Sequence, residues 1–280
     1  MAKTSQKRII VLSILLILFF SSLVYLFRLD KTPVHLIQDE LAFSLNAYSI
    51  SETLHDANGR FLPFYFWHLD SFWATPIIVY LTSIFLKFLP LSEATIRVPS
   101  VFVGLISIFL IMLLTQKIFK DKKFIILSGI LVATTPILFI QSRLLLDNLY
   151  IVPFVLLWLL FLKIFLEKRN DLALFVSGLS LGIGIHSYHA AKIMMPIYFI
   201  TTMILLSPKT KRDFKSLVVL LLGFLIPIVA FIPWLANHPD TLLNQVSYVG
   251  SIDKTVDVGR GIWGVFSFSR LGGFISSYLS

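Results

Sequence analysis

The chain has 280 residues, 57% of them hydrophobic and only 14% charged, with a mean hydropathy of +0.86 and a formal charge of +9. So little polar residue cannot cover a water-soluble globule of this length, so the chain is an integral membrane protein. Its basic excess therefore bears on membrane orientation and makes nucleic acid a poor partner, and the absence of cysteine excludes disulfides and thiolate metal sites.

The N-terminal MAKTSQKR precedes a stretch, 9–27, that carries no charge. A signal peptide would have a shorter apolar region and a small-x-small cleavage site, which SSLVYLFRLD lacks. An uncleaved spanning helix is predicted, since about 20 residues at 1.5 Å each match the hydrocarbon thickness. Further spans are cut by their polar boundaries at 98–114, 124–140, 149–166, 172–185, 193–206 and 217–235. The stretch 73–90, WATPIIVYLTSIFLKFLP, is ambiguous and is resolved by parity. If it does not cross, the N-terminus and the basic loops QKIFKDKK, EKRND and SPKTKRDFK share one side and hold 14 of the 24 basic residues, Lys163 included. Residues 73–90 are accordingly expected along the outer interface. There Thr75, Thr82, Ser83 and Lys87 form a polar side, with Ile77, Ile78, Leu81, Phe85 and Phe88 largely elsewhere.

The expected fold is all-α: a polytopic membrane protein of about seven transmembrane helices, N-terminus cytoplasmic, with juxtamembrane helices in a large outer loop, 28–97. That loop holds Asp39, Glu40, Glu52, Asp56, Asp70, Glu93 and Arg97, and the next outer turns read QSRLLLDN and HSYHAAK. The predicted span centres carry no ionisable residue, which argues against an ion-coupled transporter. A site at the outer membrane face is what remains.

Each residue there has a plain structural reading beside a chemical one. Asp39 suits the N-cap of a helix beginning ELAFSLNAYS, with Glu40 in its first turn. Arg143 stands four residues before Asp147, the spacing of a weak helical ion pair. His186 and His189 share a helical face at i,i+3, but no third ligand lies near in sequence, so no metal site is assigned. Tyr65, Phe66, Trp67, Trp73 and Tyr188 are a sugar-stacking wall or, by default, an interfacial aromatic belt. Glycines in GLSLGIGIH suit close helix packing, and no nucleotide loop of the G-x-x-x-x-G-K-[ST] or G-x-G-x-x-G kind is present.

The motif order is the more specific signal. A span is followed by P-x-H-x-x-x-DE-x-x-x-x-x-x-A, then HDANGRFLPFYF, W-x-x-P-x-x-x-Y-L and L-S-E-A-x-x-R-x-P-S. From about Lys7 to Trp234 this resembles the N-terminal half of the GT-C membrane glycosyltransferases, in the branch of protein O-mannosyltransferases and the aminoarabinose transferases of lipid A. The resemblance implies an inverting enzyme that moves a sugar from a polyprenyl-phosphate carrier to a protein, lipid or glycan acceptor on the outer face. It implies a catalytic base at Asp39 and a second acidic residue of the same cavity at Asp147. Chemistry agrees on the base: with a phosphate leaving group in place, the difficult step is deprotonating the acceptor as it attacks. Glu40 would position the acceptor, raise the pKa of its neighbour or face water.

Arg97, at the family's R-x-P position, and Lys192 are expected either to meet a lipid phosphate or to snorkel at the interface. Arg143, His186, Tyr188 and His189 complete the candidate substrate contacts. No cofactor is required beyond the lipid-linked donor, and a divalent metal has no sequence support. Membrane lipid, the polyprenyl-phosphate sugar and an unnamed acceptor are the expected partners. Short termini and loops suit a bacterial cytoplasmic membrane. Residues 1–280 are expected to form one membrane domain that the family continues through more spans. A flippase for a lipid-linked saccharide is the alternative function.

Overall fold

The computed structural model describes residues 2–69, 72–119, 121–206, 211–239 and 241. Asp70, residues 207–210 of the last basic loop and the expected outer loop and apolar segment at 242–280 lie outside the described residues.

The first helix, α1 (Ala2–Leu26), leads through an irregular turn into α2 (Gln38–Thr53), which stops at Leu54 in a left-handed conformation. Asp56 then gathers the backbone N–H groups of Asn58 and Arg60 on Oδ1, and Gly59 supplies the positive φ, +82°, that closes this HDANGR turn. A short antiparallel hairpin follows, β1 (Phe66–His68) and β2 (Phe72–Ala74), with Trp67 opposite Trp73 and His68 opposite Phe72. The expected all-α architecture holds apart from this hairpin. Pro76 opens α3 (Pro76–Phe88), and Ser92 caps α4 (Glu93–Ile118) by accepting from the Thr95 N–H.

Asp121 caps α5 (Lys122–Thr134), and Pro136 opens α6 (Pro136–Gln141), so the predicted span 124–140 is two helices broken at Thr135. A 3₁₀ turn, Asp147–Leu149, precedes α7 (Val152–Lys168). Asn170 caps α8 (Asp171–Gly184), and α9 (Ala191–Leu205) and α10 (Lys211–Asn237) complete the described chain. Three stretches, Glu93–Ile118, Asp147–Lys168 and Phe214–Asn237, are helical, long and apolar enough to cross a membrane. Ile10–Leu26, Pro76–Phe88, Asp171–Gly184 and Ala191–Leu205 are apolar but shorter.

Two cores divide the packing. One joins α1 to α5 and the hairpin around Tyr25, Phe43, Ile78 and Ile108; the other joins α7 to α10 around Phe165, Leu174, Met195 and Phe224. Leu110, Leu156 and Leu160 link them where α4 meets α7. Between α8 and α10 the backbones nearly touch. A Cβ at Gly178 or Gly182 would run into the backbone of Leu220 or Phe224, and one at Gly223 into that of Phe175. In lipid, where apolar burial drives helix association weakly, such small-residue contact lets backbones pack closely.

One expectation is corrected in α3. Thr82 and Ser83 are buried with Ile78 and Val79, and α3 packs on α2 and α4 with Phe88 exposed. Thr82 and Ser83 on its polar edge therefore face protein and not water, while Lys87 at its end is exposed and donates to the Ser51 carbonyl at 3.0 Å.

Candidate functional site

The ends of the helices nearest Asp39 are tied together by side chains from far along the chain. At the base of the site Glu40 is fully buried. Its Oε1 accepts from Arg97 Nε at 3.0 Å and the Leu145 N–H at 2.9 Å, and its Oε2 accepts from Arg97 Nη2 at 3.2 Å and the Ile37 N–H at 3.1 Å. Arg97, equally buried, also donates to the carbonyls of Pro33 at 2.8 Å and His35 at 2.7 Å. Arg143 donates to the carbonyls of Tyr25 and Thr32, both at 2.6 Å, and so caps the end of α1. The two guanidiniums thus fold the α1–α2 connection from inside, and Glu40 balances one of them. This corrects three expectations. The N-cap of α2 is Ile37, with Asp39 inside the first turn; Arg143 and Asp147 form no helical ion pair, because residues 142–146 are not helical; and Arg97 lies in the interior with its donors engaged.

Asp39 has the opposite setting. Its side chain is half-exposed, and its Oδ1 accepts from His68 Nε2 at 3.1 Å. Across from it Asp147 Oδ2 accepts from the Thr75 hydroxyl at 3.3 Å, close enough to Asp39 and Lys192 to feel both charges. Thr75 also reaches the Ser187 carbonyl at 3.4 Å, which ties the α8–α9 connection to Asp147. Lys192, at the start of α9, places Nζ 4.9 Å from the centre of the Tyr65 ring, and this buried amino group, whose pKa burial lowers to about 7, has no hydrogen-bond partner among the described residues. The Tyr65 hydroxyl lies 2.9 Å from His186 Nδ1. Burial pushes the Tyr65 phenol well above its ordinary pKa. It lowers His186 to about 4, with Lys192 adding to the fall, so the imidazole is neutral at pH 7.

Asp39, Asp147, Lys192 and His186 therefore share one region, with Glu40, Arg97 and Arg143 beneath it as supports. His189 packs edge-on to Phe72, and Tyr188 lies against the α7–α10 core. The chain leaves helical geometry after Gly184, so His186 and His189 do not share a helix face. Among the described residues no group of three or more His, Asp or Glu gathers to hold a metal ion. Tyr65, Phe66 and Trp73 are buried, so these three are core and not a belt. The residues missed in sequence are His68, which β1 aims at Asp39, and Thr75. Their signal was the aromatic alternation FWH and FWA on either side of a short turn, read as interface when it was a hairpin.

An apolar groove of about 500 Å³ between α3, α8 and α10 is lined by Leu62, Ile77, Tyr80, Ile183, His186 and Pro227.

Comparison with known proteins agrees with this architecture. In fold the chain is similar to an oligosaccharyltransferase from Archaeoglobus fulgidus, solved with Zn and sulfate, at 18% identity and a TM-score of 0.52; the match covers 94% of this chain. It spans 39% of the length of that enzyme. No curated protein matches. The family model of the dolichyl-phosphate-mannose-protein mannosyltransferases matches residues 74–236, a stretch that starts beyond Asp39 and takes in Thr75, Arg97, Arg143, Asp147, His186 and Lys192. With more than half of its length matched by that model, this membrane protein belongs to the dolichyl-phosphate-mannose-protein mannosyltransferase family.

Proposed function

We propose that the protein is a membrane glycosyltransferase that moves a sugar from a polyprenyl-phosphate carrier to an acceptor at the outer face, inverting the anomeric centre. The observation that carries this reading is a half-exposed carboxylate, Asp39, held by one oxygen and set in the same region as Asp147 and the buried amino group of Lys192, which meets no acceptor among the described residues. Asp39 accepts the proton of the acceptor O–H or N–H while the acceptor atom forms its bond to the anomeric carbon. The carbon–oxygen bond to phosphate breaks in the same displacement, and its electron pair leaves with the polyprenyl phosphate. Lys192, protonated, meets the phosphate oxygens as charge develops on them, a role open to a buried amino group that meets no acceptor among the described residues. Asp147 orients the sugar or acceptor from its Thr75 hydrogen bond. The apolar groove that His186 helps to line suits an isoprenoid tail. Seven passes with the site on the non-cytoplasmic side follow from the distribution of basic loops.

The experiment compares wild type with Asp39→Asn in membranes at matched expression, following label from radiolabelled polyprenyl-phosphate sugars into acceptors. Loss of transfer in the variant is expected, by about 10²-fold or more. Wild-type transfer in the variant would remove Asp39 as the base.

A further inference from the structure

We propose that His68 is a positioning residue for Asp39, fixing one carboxylate oxygen so that the other faces the acceptor. The inference rests on the reading of Asp39 as the general base.

Asp39 has a single hydrogen bond among the described residues, the one from His68 Nε2 to Oδ1 at 3.1 Å. Without it a half-exposed carboxylate turns freely about its side-chain torsions, and Oδ2 has no fixed direction. His68 can fix it because the ring itself cannot move. It is 1% exposed, with Phe43 at 4.5 Å and Phe72 at 5.0 Å between ring centres, and Phe72 is its partner across the hairpin register. The hairpin thus delivers a rigid N–H to the first turn of α2.

The other ring nitrogen decides between holding and relaying. A carboxylate oxygen can only accept, so Nε2 carries the proton, and Nδ1 is buried with no hydrogen-bond partner among the described residues. A relay would need an onward acceptor at Nδ1, and none lies there among the described residues. A ring present for packing alone would also not need a polar atom left unmet in the interior, where an apolar side chain of similar volume serves better. Holding Asp39 accounts for Nε2 and asks nothing of Nδ1.

The test uses the full-length protein in lipid nanodiscs with tritiated polyprenyl-phosphate mannose, or the aminoarabinose or galacturonic acid counterpart that the wild type uses. Three variants are compared: Asp39→Asn, His68→Leu and His68→Gln. The glutamine amide can place an N–H where Nε2 stands; leucine fills the space without a donor. His68→Leu is expected to lower kcat by about 10²-fold at unchanged KM for the donor, and His68→Gln to restore most of it. A leucine variant with normal kcat overturns the inference. So do leucine and glutamine variants that fall together with their melting temperatures, the pattern of a packing residue.

Wild-type turnover in Asp39→Asn, or no transfer from any donor in the wild type, overturns the underlying reading instead. A substrate-free measurement stands beside these. In ¹⁵N-histidine spectra of the nanodisc protein, His68 is expected as the Nε2–H tautomer, with its proton resonance moved by Asp39→Asn. An Nδ1–H tautomer overturns the inference.

Discussion

Successive side chains on a helix diverge by about 100°, and in α2 that angle sends Glu40 into the interior against Arg97 while Asp39 stays half-exposed beside His68. The two carboxylates therefore answer to different measurements. Glu40→Ala leaves the Arg97 guanidinium buried without its carboxylate, and an unfolding free energy lower by about 3–5 kcal/mol is expected. Thermal unfolding in detergent checks it; a variant as stable as wild type would mean that water reaches Arg97. His186 gives an acid-side prediction. Its pKa falls from 6.5 to about 4 on folding, so the unfolded chain binds more protons between these values. Its contribution to stability is complete above about pH 6.5 and declines as pH falls toward 4, by at most about 3 kcal/mol. His186→Gln should flatten the drop in melting temperature between pH 6.5 and 4. An unchanged pH slope would contradict the assignment.

The residues of the site were unequally legible in the sequence. Asp39, Asp147 and Lys192 could be named because motif order and a scarcity of outer charge single them out. The inward turn of Arg97 and Arg143 could not be read, because their acceptors are backbone carbonyls, which no residue type announces. His68 was hidden for another reason: its partner lies 29 positions away, across a hairpin that hydropathy treats as interface.

At the scale of elements, hydropathy located the apolar stretches, and local chemistry set their ends. Ser92, Asp121 and Asn170 cap α4, α5 and α8 as their residue types suggest, and Pro136 divides one predicted span in two. The polar edge of α3 was misassigned because period alone reports which residues share a side, not what covers that side. The α8–α10 contact is the element-scale feature most sensitive to a single atom. In Gly182→Ala the new methyl meets the carbonyl of Phe224, and the helices must separate or shift. A loss of about 1–3 kcal/mol is expected, read as a lower melting temperature in fluorescence-detected size exclusion. Unaltered stability would show that α8 and α10 sit further apart.

Over the whole molecule, the proposed orientation rests on the parity of the basic loops. These 280 residues contain no cysteine, so single cysteines introduced among them report sidedness. Asn58→Cys, in the exposed turn after α2, should react with a membrane-impermeant maleimide added outside intact cells. Lys123→Cys, at the start of α5, should react only after permeabilisation. The reverse pattern would invert the topology and place Asp39 on the cytoplasmic side. With sidedness set, the central claim is that Asp39 removes a proton from the acceptor during sugar transfer. Its most direct measurement is the single-turnover rate of label transfer from a polyprenyl-phosphate sugar by wild type and Asp39→Asn at equal donor occupancy. The account predicts that the variant binds donor but transfers about 10²-fold more slowly or worse. Equal rates at equal occupancy would contradict it.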